Sequence, residues 1–433
     1  MKYYSLNKKC NLVSFKEALI KGIAPDKGLY YPQKINPFKK SFIQELKKLS
    51  NTEIAYECLR QFTKPDISDT DLINIIEKTI DFDFPLIKLN KNISVLELFH
   101  GPTMAFKDIG ARFMSRFTSH FINQKKSSKK ITVLVATSGD TGAAVANGFY
   151  NIDGINVVIL YPSKKVSYVQ EKQLTTLSKN ITALEIDGNF DDCQSMVKHA
   201  FLDLDINKKL NLTSANSINI GRWIPQLLYY FFSYKKLDDN FKNLAYSVPS
   251  GNFGNICAGM IAQKLNLPIQ KFISANNSNN SVEIYLKTKI YNPKQSVQTI
   301  SNAMDVGNPS NFVRIKKIYD NNFKFLKKNL IGYSYSDEQT KKGIVELYKK
   351  FDYISDPHGA IAFLGTKDFL KTNNNYQCIF LETAHPSKFL EIIENILDLK
   401  IELPKQINSV INKKKKSIKI ASYNEFKSFL LRN

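Results

Sequence analysis

Lys107 closes the stretch Gly101-Pro102-Thr103-Met104-Ala105-Phe106-Lys107. Ile93 to Phe99, before the Gly-Pro turn, reads as a strand. Phe106, Ile109, Phe113 and Phe117 then recur at helical spacing. This places Lys107 at the start of a helix buried on one side. A lone lysine at such a position ordinarily points at water, because Lys is rarely buried. A fixed turn and apolar neighbours are instead what an amine needs to lose its proton easily and form a Schiff base with an aldehyde.

Other stretches could hold anions. Ser250-Gly251-Asn252-Phe253-Gly254-Asn255 follows an apolar run and opens a helix. Glycines let backbone N–H groups approach an anion, and the helix N-terminus adds its positive end. The same loop is equally readable as a tight structural turn. It is neither G-x-G-x-x-G nor a Walker loop, so nucleotide binding is not implied. Thr137-Ser138-Gly139-Asp140-Thr141-Gly142 is a second such turn, in which Asp140 also reads as a plain N-cap. Asn216, Ser217, Asn219 and Arg222 form a third polar group, with Arg suited to bidentate phosphate recognition. Lys164 and Asp305 are weaker candidates for the same pocket. Thr383 ends an apolar strand, and on spacing alone it caps the helix that follows His385-Pro386. His100, His358 and His385 read as hydrogen-bonded structural residues rather than acid–base groups.

The elements that must position these residues alternate strand and helix from about residue 90. Strands are expected at Ile131–Ala136, Asn156–Tyr161, Ile181–Ile186, Leu244–Val248, Lys271–Ala275 and Cys378–Glu382, with helices between them. Continuous apolar strands alternating with helices predict an α/β fold with parallel sheets covered on both faces. Sites in such folds lie beyond the carboxyl ends of the strands, where every motif above falls. Residues 1–88 lack this rhythm and read as a separate N-terminal domain. Residues 89–397 form the core and 398–433 a lysine-rich C-terminal segment.

The chain of 433 residues has 43% hydrophobic and 23% charged residues, the balance of a soluble globular protein. Its five cysteines contain no CxxC pair and its five histidines no ligand spacing, so no metal site is expected. No signal peptide is seen, and the apolar stretch Ile224–Tyr234 is too short to span a bilayer. A cytoplasmic protein without membrane attachment is expected. The net charge of +22 is spread as isolated lysines. Lys125–Lys130 and Lys413–Lys416 read as solvated segments. Such a surface suits attraction of an anionic substrate better than nucleic-acid recognition.

Taken together, these motifs resemble those of the threonine synthase family of pyridoxal-phosphate enzymes. Val13-Ser14-Phe15, Gly28-Leu29-Tyr30-Tyr31-Pro32, Ser301-Asn302-Ala303-Met304-Asp305-Val306 and Glu382-Thr383-Ala384-His385-Pro386 complete the match in order along the chain. The resemblance implies a tryptophan-synthase-β-like fold of two parallel-sheet subdomains with helices on both faces, plus a small N-terminal domain. It implies that Lys107 carries pyridoxal 5'-phosphate, and that Gly251, Asn252, Phe253 and Asn255 hold its phosphate. Asn255 stands where the family often has Asp. Thr383 is implied to face the pyridine nitrogen. The resemblance assigns the substrate carboxylate to Thr137, Ser138 and Thr141, while Asn216, Ser217, Asn219 and Arg222 are candidates for its phosphate. The implied reaction turns O-phospho-L-homoserine and water into L-threonine and phosphate, in a monomer or homodimer. A related phospho-lyase releasing 2-oxobutyrate and a basic nucleic-acid-binding protein on an inactive scaffold are the alternatives.

Overall fold

The structure, a computed structural model, describes residues 1–125, 130–238 and 241–432. Residues 126–129 of the first lysine run therefore lie outside the described residues.

Ile131–Ala136, Ile155–Pro162 and Ile181–Ile186 are buried along nearly their whole length, as parallel strands covered on both faces must be. With Asn211–Ser214 at one edge and Ile418–Ile420 at the other they make a five-stranded parallel sheet. A six-stranded sheet runs in the order Leu330–Ser334, Lys271–Asn276, Asn243–Pro249, Tyr376–Glu382, Ile93–Glu97, Leu86–Lys88. All its pairs are parallel except the last. The helix Pro357–Leu370 is buried on nearly every side and packs on four strands of this sheet. Parallel sheets flanked by helices are the α/β architecture expected.

The N-terminal part, which lacks the strand–helix alternation of the core, combines helices with one small sheet. Lys2–Ser5, Val13–Ser14 and Tyr30–Pro32 form a small antiparallel sheet. Strands of two to four residues are too short to show alternation. Phe15, just after this sheet's second strand, packs edge-on against Phe117, with ring centroids 5.1 Å apart. Phe113 and Phe121 also face it. The apolar face of the Lys107 helix thus docks on the N-terminal part, which holds that helix in place.

A second tie is Arg314, fully buried and stacked 4.3 Å over Trp223. Its guanidinium donates to Tyr30 O at 2.9 Å, Ile218 O at 2.6 Å and Ser217 O at 3.1 Å. One side chain thereby joins the N-terminal sheet to the loop carrying Ser217. Arg314→Met leaves these carbonyls unpaired, at about 1–3 kcal/mol per buried group. The expected result is a denaturant midpoint lowered by the equivalent of about 3 kcal/mol or more, read by urea titration.

Lys413, Lys414 and Lys416 are exposed, as expected of the second lysine run, whereas Lys415 and the residues after it join the fold. Ile418–Ile420 pairs with Ile181–Ile186, and Phe426 and Leu430 are buried against Leu184 and Val197. Lys415 sits 2.6 Å from Glu171 and 2.8 Å from Glu185. A lysine run hides this role because the charged heads stay near water while their stems cover apolar surface. Among the described residues no helix is long and apolar enough to cross a membrane. None of them form a group of three potential metal ligands either.

Candidate active site

The carboxyl ends of the two large sheets face a common cavity. Lys107 enters it from the first residue of the helix Lys107–Lys125. Its backbone is clamped on several sides. Phe106 N–H donates to Thr383 O at 2.9 Å and His385 N–H to Met104 O at 3.1 Å, so 104–106 runs antiparallel to 383–385. Tyr229 donates its hydroxyl to Phe106 O. The same clamp brings Thr383 to the cavity wall.

The Lys107 amine lies 3.8 Å from Asp140 and its side chain is 13% exposed. Burial pulls it down to about 8, with Asp140 opposing that shift and Lys388 and Arg222 adding to it. An amine with this affinity for protons is half neutral at about pH 8, whereas a surface lysine remains charged. In cofactor-free protein, reductive methylation of Lys107 is therefore expected to reach half its maximal rate near pH 8, falling as pH drops. Peptide mass spectrometry across a pH series reads it.

Asp140 does not serve as an N-cap, for Gly139 holds that position and the Asp140 carboxylate turns inward. It accepts from Lys388 at 2.6 Å and from Gln170 at 2.9 Å. Against the opposing effect of burial, the charges of Lys388 and Lys107 and these hydrogen bonds hold it well below the usual carboxylate range.

Opposite Lys107 lies the loop 250–255. Phe253 adopts a left-handed conformation (φ 59°) and leads into the helix Gly254–Lys264. Gly251 is required here, since a Cβ would come within 2.7 Å of Ala303 O and 2.9 Å of Met304 Cα. Among the described residues, no acceptor faces the N–H groups of residues 251 to 255. Five free N–H groups at a helix N-terminus form an anion cradle. The Asn255 amide is spent on the loop itself, donating to Pro249 O at 2.9 Å and accepting from Ile256 N–H at 2.9 Å. Asn255 thus shapes the cradle by bracing it from behind.

The remaining polar candidates divide. Ser138, Thr141, Asn216, Ser217 and Arg222 line the cavity. Asn216 also pins the end of strand Ile131–Ala136 through both N–H and C=O of Ala136. Thr137 is not brought to the wall, because its hydroxyl oxygen accepts from Gly139 and Gly142 N–H at 2.9 and 2.8 Å. Asn219 is also withheld. Its amide donates to Leu19 O and Ser214 O and accepts from Gly221 N–H. The Gly221 bond is the local cap that makes Asn common before helices, and the other two fix the loop in place. Lys164 lines a neighbouring cleft instead. Asp305 lies behind the wall, held by Thr299, Asn277 and Asn279, and burial raises it to about 7.

The histidines have other partners. His358 lines the cavity, donating through Nδ1 to Asp356 at 2.6 Å and accepting at Nε2 from Ala303 N–H at 3.2 Å. That pairing assigns the Nδ1–H tautomer and makes the ring a brace for Ala303 and Met304, which line the cavity. His385 accepts from Ser387 N–H, and burial brings its imidazole down to about 4. His100 pairs with Glu97. Gln226 and Phe190 also line the cavity. Neither stands out in sequence, since Gln226 only interrupts an apolar run. Arg222 Nε and Gln226 Oε1 are buried with no partner among the described residues. Asn216, Ser217 and Asn252 also line an adjoining groove flanked by Lys21, Lys27 and Lys198.

The family "Threonine synthase N terminus" matches residues 2–80, "Pyridoxal-phosphate dependent enzyme" residues 83–378, and "Threonine synthase, C-terminal" residues 359–430. Threonine synthase from Buchnera aphidicola subsp. Schizaphis graminum is 42% identical over 434 residues, covering 100% of both chains. The chain belongs to the threonine synthase family. The Escherichia coli threonine synthase is 40% identical over 94% of each chain, and its crystal structure superposes with a TM-score of 0.94, 38% identity and full coverage of both. A pyridoxal-phosphate-bound threonine synthase from Brucella melitensis has a TM-score of 0.91 at 31% identity, covering 100% of this chain and 99% of its own. Pyridoxal 5'-phosphate is therefore the cofactor of this threonine synthase family member. The cavity fits it, with a buried amine of lowered proton affinity on one side and an anion cradle of free N–H groups on the other.

Proposed function

We propose that this cavity converts O-phospho-L-homoserine and water into L-threonine and phosphate. The observation that carries the reading is the pairing, in one cavity, of the buried Lys107 amine with the unpaired N–H cradle at residues 251–255. Pyridoxal 5'-phosphate, when bound, supplies the electron sink that makes protons on the substrate's Cα and Cβ removable.

The chain's own groups do the rest. Lys107 would hold the cofactor, and its amine moves protons at the substrate's Cα, Cβ and Cγ, work that suits an amine of lowered proton affinity. Gly251, Asn252, Phe253 and Asn255 would hold the cofactor phosphate, and Thr383 would offer the cofactor ring a hydroxyl instead of a carboxylate. Ser138 and Thr141 bind the substrate carboxylate, with Thr137 shaping their turn from behind. Asn216, Ser217 and Arg222 bind the substrate phosphate and stabilise its charge as the Cγ–O bond breaks. The unpaired Nε of Arg222 supports that role, because a buried donor without a partner awaits an acceptor. Asn219 supports the same group indirectly by fixing the turn before Arg222. Water then adds its oxygen at Cβ and the lost protons return to carbon.

The test is incubation of purified, cofactor-loaded protein with O-phospho-L-homoserine, quantifying phosphate, threonine and 2-oxobutyrate together. Threonine equal to phosphate is expected. Phosphate matched by 2-oxobutyrate overturns the reading in favour of a phospho-lyase, and no phosphate release overturns it altogether.

A further inference from the structure

Lys388 is a second lysine beside Lys107 and is fully buried. It lies on the short turn Pro386–Phe389, at the end of the six-stranded sheet. Its ammonium donates to Asp140 Oδ1 at 2.6 Å and to Thr103 O at 2.9 Å. Ser167 fixes the turn from the other subdomain, donating to Lys388 O at 2.8 Å. Asp140, on the helix that follows the first strand of the five-stranded sheet, turns only its other oxygen to Lys107, at 3.8 Å.

One carboxylate therefore serves two buried amines unequally. Two ammonium groups against one carboxylate would leave a net positive charge out of water, which is expensive to maintain. Loss of a proton from one amine relieves it, and the amine with fewer bonds to its charged form gives up the proton first. Lys388 has two short bonds, whereas Lys107 has one long contact. Arg222 also faces Lys107 and favours its neutral form, while Asp356 opposes it. Asp108 lies nearby but is bonded to Thr103 N–H and hydroxyl.

We propose that Lys388 is a positioning residue for the reaction, holding Asp140 away from Lys107 so that the Lys107 amine is free to give up and take back a proton. Without Lys388, the Asp140 carboxylate is free to pair with Lys107 and keep it protonated. Without the Asp140 charge, Lys107 is left to burial and to the cations around it. The two substitutions therefore push Lys107 in opposite directions, which a merely structural role for Lys388 does not predict.

The inference rests on Lys107 being the reacting amine, and the Lys107→Ala measurement described below tests that separately. The experiment is reductive methylation of the full chain stripped of cofactor, using formaldehyde and cyanoborohydride across a pH series. Modification of the Lys107 peptide is followed by mass spectrometry, which reads that amine whatever reaction the protein catalyses. Lys388→Met is expected to raise the midpoint by about one pH unit or more, the usual effect of one close charge. At pH 7.5 that is about a tenfold slower modification. Asp140→Asn is expected to lower the midpoint, and Lys388→Arg to leave it near the original. Lys388→Leu, which likewise removes both the donor and the charge, gives the same upward shift if the methionine variant folds poorly. A midpoint that stays in place, or falls, in both neutral variants overturns the proposal.

Discussion

Lys107→Ala is expected to reduce phosphate release from O-phospho-L-homoserine by ~10⁴-fold or more, the upper end of what a positioned acid–base group contributes. The same substitution removes the covalent attachment, so pyridoxal 5'-phosphate should separate from the protein on gel filtration, followed by absorbance. The two readouts distinguish a lost anchor from a misfolded chain when far-ultraviolet circular dichroism is compared. Lys107 lies at the first residue of its helix, so shortening its side chain removes no helical hydrogen bond donor. Turnover within tenfold of the unchanged protein would refute the assignment of Lys107 as the reacting amine.

Gly251→Ala is expected to have the second largest effect. The added methyl meets backbone atoms of Ala303 and Met304 rather than a side chain that can swing aside. The loop must shift, and its N–H groups no longer converge. Loss of two charge-assisted hydrogen bonds, at about 1.5–3 kcal/mol each, weakens cofactor binding by about 100-fold or more. Titration of the cofactor-free protein with pyridoxal phosphate, monitored by Trp223 fluorescence quenching, measures it. Trp223, the only tryptophan in the chain, is buried directly after Arg222, which lines the cavity.

The framework of the site was legible because parallel strands buried on both faces leave continuous apolar runs in the sequence. Ile131–Ala136 and Ile181–Ile186 were expected with the bounds observed. Other strands left no such trace. Leu330–Ser334 is an edge strand broken by Gly332, whose missing side chain lets Glu283 approach. Asn211–Ser214 is four residues long and polar at both ends. At the site, Asn219 and Asn216 occupy the same polar stretch, but only three-dimensional packing shows that one faces the cavity and the other caps a turn. Lys388 is one of 61 basic residues, and nothing in its neighbours separates it from a surface lysine. Its burial comes from the convergence of both subdomains on Asp140, a long-range property that local spacing does not encode.

The edge strand Ile418–Ile420 has a consequence for how the molecule is made. Its partner Ile181–Ile186 leaves the ribosome roughly 230 residues earlier, about 10–50 s of synthesis at ordinary rates. During that interval the apolar strand presents an unpaired edge, a template for wrong pairing between nascent chains. Glu171 and Glu185 meanwhile lack the Lys415 ammonium that later joins them. Assembly of the five-stranded sheet is thus held open until residues 418–420 emerge, and its edge is exposed to mispairing for that whole interval.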